Sequence, residues 1–142
     1  MTLFLIILFL SLGTPLVLLP IEHMLPYPYI IEEIVKVLIV LIVVKLGQYV
    51  SETTYRHIIL TGIFFTISES MLYLSNFFAL GTIHLLSYRL VATGLLHVGT
   101  MLIIYWFLKR HSPAWIVGLG ITILIHYFYN TWASGIGFLI RP

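Results

Sequence analysis

Residues 30–50 read IIEEIVKVLIVLIVVKLGQYV, and three charged residues, Glu32, Glu33 and Lys36, lie close to the start of this apolar stretch. About 20 mostly apolar residues in a helix are enough to cross the hydrocarbon core of a bilayer. Charged side chains are costly in hydrocarbon, so they normally face a protein interior or a water-filled cavity. The stretch therefore predicts a membrane helix that directs its charged residues into a helix bundle.

The composition extends this prediction to the whole chain. Of its 142 residues, 61% are hydrophobic and 8% are charged, and the mean hydropathy is +1.10. In a typical soluble domain about a quarter of the residues are charged. We therefore expect an all-α, polytopic transmembrane helix bundle that forms one domain over residues 1–142. Its five spans are predicted at about 3–20, 30–50, 58–78, 83–108 and 114–140.

The basic residues predict the orientation of this bundle. Lys45 and Arg56 flank the second link, Lys109 and Arg110 lie in the fourth, and the first and third links contain neither Lys nor Arg. Because cytoplasmic links collect Lys and Arg, we expect the N-terminus in the cytoplasm and the C-terminus outside. The first span lacks the preceding basic region of a cleaved secretory signal, so we expect it to be retained.

The composition also argues against several function classes. The seven Lys and Arg residues form no basic stripe, so a nucleic-acid partner is not expected. The chain has no cysteine, which excludes disulfides and thiol chemistry. The lipid bilayer is thus the first partner that the sequence predicts.

Ionisable or amide side chains lie inside every predicted span except the first. The candidates for an interior site among them are Glu32, Glu33, Lys36, Glu69, Arg89, His97, His126 and Asn130. Lys36 follows the two glutamates by four and three residues, and His126 precedes Asn130 by four. Residues at these spacings share one face of a helix. The pattern predicts that four spans contribute to one interior site.

The depth of the site follows from the rise of an α-helix. Glu69 and His126 lie about 11 or 12 residues from the inner ends of their predicted spans, at about 1.5 Å per residue, and so near mid-membrane. His97 is expected at a similar depth. The glutamate pair lies nearer the outer boundary, unless the second span begins near Tyr27. The side chains are therefore expected to meet in the outer half of the bilayer.

Each of these residues, taken alone, has an ordinary structural explanation. A Glu–Lys pair at helical spacing commonly neutralises itself at a membrane boundary, and a single His commonly packs as a neutral hydrogen-bonded group. Asn130 could join neighbouring helices, and Arg89 could extend to the interface. Their joint occurrence on four spans of so short a chain favours a shared site instead.

Four short motifs follow one another on successive predicted spans. Glu32-Glu33-Ile-Val-Lys36 matches EExxK, Phe65-Thr-Ile-Ser-Glu69 matches FxxxE, Arg89 precedes His97 by eight residues, and His126-Tyr-Phe-Tyr-Asn130 matches HxxxN. In this order the motifs resemble the PrsW family of intramembrane proteases. That family is distantly related to the CAAX prenyl proteases and the bacteriocin-immunity membrane proteins. The resemblance covers residues 32–130 of this chain.

The resemblance implies hydrolysis of a peptide bond in a membrane-anchored protein or peptide substrate, in the plasma membrane of a prokaryote. It implies that Glu32 and Glu33 are the catalytic carboxylates and that Lys36 and Arg89 support them. Four further residues would complete the site, namely Glu69, His97, His126 and Asn130. Members of the family usually have more membrane helices than the five predicted here. This difference affects the expected substrate and activity more than the expected fold.

Amide hydrolysis needs a base that activates water and donors that hold the oxyanion. We expect the glutamate that Lys36 leaves free to be the base, His126 and Asn130 to be donors, and His97 to orient water or protonate the leaving amine. Metal-free catalysis is favoured, and no cofactor is assigned. The alternative is zinc held by Glu69, His97 and His126, although no HExxH signature is present.

Two non-enzymatic functions stay open at this point. A proton-coupled carrier also buries Glu, His and Arg along a path, although the sequence shows no inverted repeat. A helix-binding scaffold would use close packing at four glycines of the last two spans, Gly94, Gly99, Gly118 and Gly120. A cut product, a transported solute or a co-purifying partner would distinguish the three functions.

Overall fold

The computed structural model describes residues 2–50, 54–79, 81–110 and 113–135, and over these residues it contains helices and turns but no strand. The prediction of an all-α fold is confirmed. The helices are α1 (Thr2–Glu22), α2 (Pro28–Val50), α3 (Thr54–Leu72), α4 (Leu74–Ala79), α5 (Leu85–Leu108) and α6 (Ala114–Gly135). Each predicted span overlaps one of the five long helices, and the part of the last span beyond residue 135 lies outside the described residues.

The third predicted span is wrong at its C-terminal end. Instead of one helix over residues 58–78, α3 ends at Leu72, Tyr73 forms a turn, and the short α4 follows. The centre of the Tyr73 ring lies 3.7 Å from Cζ of Arg89, so the turn contacts α5. The prediction rested on the apolar residues of the stretch as a whole and overlooked the polar residues near the break, Ser70, Ser75 and Asn76.

Within the part of the chain that the structure describes, three helices are long and apolar enough to cross a membrane, over Phe4–Ile21, Leu85–Leu108 and Ala114–Ala133. These three helices indicate a membrane protein. The charged residues of α2, and the polar and charged residues of α3, lower the hydropathy of the other two long helices. Many of those polar groups are buried in the bundle, as Glu33, Lys36 and Thr61 illustrate, so they do not meet the surroundings of the protein.

The outer surface of the bundle is apolar, and much of its interior is polar. Phe9, Val91 and Leu95 are between 66% and 74% exposed, whereas Lys36 and Thr122 are fully buried. A soluble protein has the opposite distribution, because water favours charged groups at the surface. The arrangement agrees with lipid as the solvent of this protein.

Helix α2 lies at the centre of the bundle, because it packs against α1, α3, α5 and α6. Its apolar side chains form a core with residues of the other helices, including Val40 with Ile58 and Met101. Three of the four charged residues of α2, Glu32, Glu33 and Lys36, lie in its first turns, so the central position of the helix brings them within reach of three neighbours. The fold thus surrounds the Glu–Glu–Lys segment with polar groups from other helices.

Glycine allows the closest approach between α3 and α5. A Cβ atom on Gly62 would lie 2.8 Å from the Cα atom of Val98, so any larger residue would separate the two helices. Of the glycines expected to permit close packing, Gly118 does so, since a Cβ there would lie 2.9 Å from Phe107. The others have at most ordinary contacts at that position: Gly94, Gly99 and Gly120.

Candidate active site

The site begins with three side chains in the first turns of α2. Lys36 Nζ lies 2.8 Å from Glu32 Oε1 and 2.6 Å from Glu33 Oε1. Lys36 and Glu33 are fully buried, and the ammonium group also lies 5.4 Å from the centre of the Phe65 ring. The expectation that Lys36 leaves one glutamate free is therefore wrong, because the spacings of three and four residues let a single ammonium contact both carboxylates.

The first of two carboxylate–imidazole pairs joins α2 to α6. His126 Nδ1 lies 2.8 Å from Glu33 Oε1, although 93 residues separate the two positions. Because an ionised carboxylate only accepts hydrogen bonds, His126 donates through Nδ1–H. Its other nitrogen, Nε2, is then directed towards Glu32, with 3.7 Å to Oε2. Glu33 therefore fixes the ring orientation of His126.

The second carboxylate–imidazole pair joins α3 to α5. His97 Nε2 contacts Glu69 Oε2, and Arg89 Nη2 donates to Glu69 Oε1 at 2.9 Å. His97 Nδ1 is buried and lies 3.4 Å from Glu32 Oε1. Glu69 therefore orients His97 as Glu33 orients His126, and the two imidazoles approach Glu32 from different helices.

A cavity of about 310 Å³ opens in front of these groups. Its wall is formed by Leu19, His23, Leu25, Pro26, Pro28, Tyr29, Glu32, Glu69, Tyr73, Arg89, Thr93, Leu96, His97, His126, Tyr129 and Asn130. Glu33 and Lys36 lie behind this wall. Of the eight residues selected from the sequence, six therefore line one cavity and two support it from behind.

The site lies closer to one end of the bundle than the sequence predicts for Glu69. Because α3 ends at Leu72, Glu69 is in the last turn of its helix and not at the middle of a span. Helix α2 begins at Pro28, close to Tyr27, where the sequence allowed an earlier start of the second span. This start puts the glutamate pair inside the helix. The link between α1 and α2 contributes Leu25 and Pro26 to the cavity wall.

Sequence reasoning missed three tyrosines of the cavity wall. Tyr29 has its ring centre 6.0 Å from that of His126, Tyr73 stacks on Arg89, and the buried hydroxyl of Tyr129 has no hydrogen-bond partner among the described residues. A helical-spacing search would have found them, because they lie three residues before Glu32, four after Glu69 and three after His126.

The carboxylates and imidazoles form two groups that could each hold a metal ion, Glu32–Glu69–His97 and Glu32–Glu33–His126. The three zinc ligands that the sequence suggests are thus divided between the two groups. In the second group Lys36 already supplies a positive charge between the carboxylates. The first group suits zinc better, because it offers two carboxylates and the Nδ1 atom of His97, which has no hydrogen-bond partner among the described residues.

Comparisons of the chain with family models, with curated proteins and with solved structures give no match. The resemblance to the PrsW family therefore stays a prediction, and the geometry of the cavity carries the argument on function.

Proposed function

We propose that this protein is an intramembrane peptidase of the PrsW type, which hydrolyses a peptide bond of a membrane-anchored protein by means of glutamate-activated water. One observation carries the proposal. Glu32, in the wall of a cavity, is approached by His97 Nδ1 at 3.4 Å and by His126 Nε2 at 3.7 Å. A carboxylate between two oriented imidazoles is a suitable arrangement for moving protons to and from a water molecule.

In this proposal Glu32 is the general base. It is the member of the glutamate pair that lines the cavity, whereas Glu33 lies behind the wall with no exposed surface. Lys36 contacts Oε1 of Glu32, which leaves Oε2 to accept the proton of an attacking water. The base assignment that the sequence left undecided therefore goes to Glu32, and Glu33 becomes a positioning residue.

His126 and Asn130 are the proposed oxyanion donors. Since Nδ1 of His126 donates to Glu33, Nε2 can donate to an oxyanion only when the ring is an imidazolium, with Glu33 as its counter-charge. Asn130 lies one helical turn further along α6 and lines the same cavity. His97, oriented by Glu69, would protonate the leaving amine on the side of Glu32 that faces α5.

Zinc is the alternative source of an activated water. Glu32, Glu69 and His97 would hold the ion, and it would make a bound water more acidic. In that case Glu33 and His126 would keep their roles, because their contacts with each other do not use the first metal group.

The proposal includes the membrane topology. We propose that α1, α2, α3, α5 and α6 all cross the bilayer, because the polar residues that lower the hydropathy of α2 and α3 are in large part buried. The N-terminus would be cytoplasmic, since Arg56, Lys109 and Arg110 lie at one end of the bundle. The cavity, lined by the link between α1 and α2, would then open towards the outer face of a prokaryotic plasma membrane.

The test is cleavage of membrane-anchored peptides by purified protein in detergent, with and without a chelator. We expect Glu32→Gln to lower the rate by about 10²- to 10⁴-fold, the contribution of a general base, while the helical content stays unchanged. Lys45→Met, at the far end of α2, is the matched control. Rapid cleavage by the Glu32→Gln protein would refute the base assignment, and stoichiometric zinc with loss of cleavage in chelator would select the metal mechanism. Transport or partner binding without any cut product would favour the carrier or the scaffold.

A further inference from the structure

The guanidinium group of Arg89 is only partly used by the site described above. Nη2 donates to Glu69, but Nε and Nη1 are buried without a hydrogen-bond partner among the described residues. The residue is 1% exposed and lines the cavity. A buried charged donor without an acceptor is strongly disfavoured, so such groups in a folded protein normally have a ligand or ordered water as partner.

A second unpartnered polar group lines the same cavity. The hydroxyl of Tyr129 is buried without a hydrogen-bond partner among residues 2–50, 54–79, 81–110 and 113–135. The Tyr73 ring stacks on the guanidinium at 3.7 Å and fixes its plane. The cavity therefore presents a fixed planar cation together with a neutral hydroxyl donor.

We infer that Arg89 and Tyr129 form a carboxylate-binding subsite that anchors the substrate beside Glu32, an assignment that rests on the proposed function. Arginine binds carboxylates through charged N–H donors, and two nitrogens of this guanidinium, Nε and Nη1, have no acceptor among the described residues. The three carboxylates of the site are already in contact with Lys36, Arg89 or a histidine, so the two free donors are left for an incoming group. The substrate class is then a peptide that carries a carboxylate next to the bond to be cut.

The volume of the cavity favours the binding of a short segment of the substrate. Its volume of about 310 Å³ is at the lower end of the range of about 300–1,000 Å³ for ligand sites. It therefore suits a few residues of extended chain and not a whole substrate helix. Two sources of the carboxylate fit this space, the C-terminal carboxyl group of a peptide and an Asp or Glu side chain.

The first experiment measures binding without cleavage. Hexanoate, which has no peptide bond, should raise the melting temperature of the detergent-purified full-length protein more than hexanamide does. We expect Arg89→Gln to weaken hexanoate binding by about 10- to 100-fold and Tyr129→Phe by about fivefold, as loss of charged and neutral hydrogen bonds requires. Arg110→Gln, an exposed arginine at the far end of α5, should bind as the wild type does. If the Arg89→Gln variant does not fold, the Arg89→Lys variant is measured in its place.

Equal stabilisation by hexanoate and hexanamide, or unchanged hexanoate binding in the Arg89 and Tyr129 variants, would overturn the inference. Stabilisation by inorganic phosphate as strong as that by hexanoate would overturn it as well, because the subsite would then select anions such as lipid headgroups. The second experiment compares cleavage of peptides with a free or amidated C-terminus, and with Glu or Gln near the bond. A lower KM for one acidic form identifies the source of the carboxylate.

The two experiments separate this inference from the proposed function. Hexanoate binding through Arg89 without cleavage of any peptide would refute the peptidase and leave the carboxylate subsite standing. Cleavage with equal KM for acidic and neutral peptides would refute the subsite and leave the peptidase.

Discussion

The two carboxylate–imidazole pairs have the same chemical groups but are built differently. Glu33 and His126 join α2 to α6, and their cation, Lys36, lies on the same helix as the carboxylate. Glu69 and His97 join α3 to α5, and their cation, Arg89, lies on the same helix as the imidazole. The Glu33 side chain is fully buried, whereas that of Glu69 is 20% exposed and lines the cavity.

Because of this difference, we expect the Glu33–His126 pair to support the structure of the site and the Glu69–His97 pair to respond to substrate. The Glu33–Lys36 contact spans three residues of one helix, so it can form with the helix and needs no ligand. The Glu69–Arg89 contact needs α3 and α5 to dock, and it leaves two donors of Arg89 without a partner among the described residues. We therefore expect changes in the first pair to alter stability and ring orientation, and changes in the second to alter the response to substrate.

The largest expected effect on stability comes from removing Lys36. Lys36→Met leaves two buried carboxylates without their cation, and breaking a buried ion pair costs about 3–5 kcal/mol. Arg89→Met should cost less, because Glu69 keeps its contact with His97 and is partly exposed. Unfolding of the detergent-solubilised protein by a denaturing detergent measures both values, with Lys45→Met as the control. Equal losses for the two variants would remove the distinction between the pairs.

A smaller effect is expected on catalysis when the carboxylates are neutralised. Glu33→Gln should lower kcat by about 100-fold, because the neutral amide no longer supplies the counter-charge of the His126 imidazolium and holds its ring less firmly, and small misplacements have effects of this size. Glu69→Gln should lower kcat by about tenfold, the effect of one weakened charged hydrogen bond. Steady-state cleavage measures both, and the pH–rate profile should change shape in Glu33→Gln, which a merely structural role would not produce. A larger loss in Glu69→Gln would reverse the assignment.

The smallest effect is expected from a substitution that separates α3 from α5, the helices that carry Glu69 and His97. Gly62→Ala puts a methyl group 2.8 Å from the backbone of Val98, and such overpacking costs about 1–3 kcal/mol. It should separate α3 from α5 and weaken cleavage through Glu69 and His97. Gly99→Ala is the matched control, since nothing lies within 4 Å of that position. Unfolding and cleavage assays apply to both variants, and an unaffected Gly62→Ala protein would show that the α3–α5 contact tolerates separation.

Hydropathy along the chain predicted the fold class, but it did not predict where α3 ends. Apolar runs of about 20 residues define where long helices occur, because each must satisfy its own backbone hydrogen bonds in lipid. The break at Tyr73 was not predicted in this way, because apolar residues resume beyond the polar Ser75 and Asn76, and because the turn contacts Arg89 on another helix. That contact joins two positions that no helical spacing connects.

For this protein the sequence by itself determined the helical class and the residues that carry charge into apolar segments, and it put Lys36 within helical reach of either glutamate. These are local properties, fixed by hydropathy and by the 3.6-residue period. Only the tertiary structure decided that Glu33 meets His126, that Glu69 meets His97 and Arg89, and that Glu32 faces the cavity. Those contacts depend on which helices pack together and at what rotation, and that outcome follows from the packing of all the helices at once.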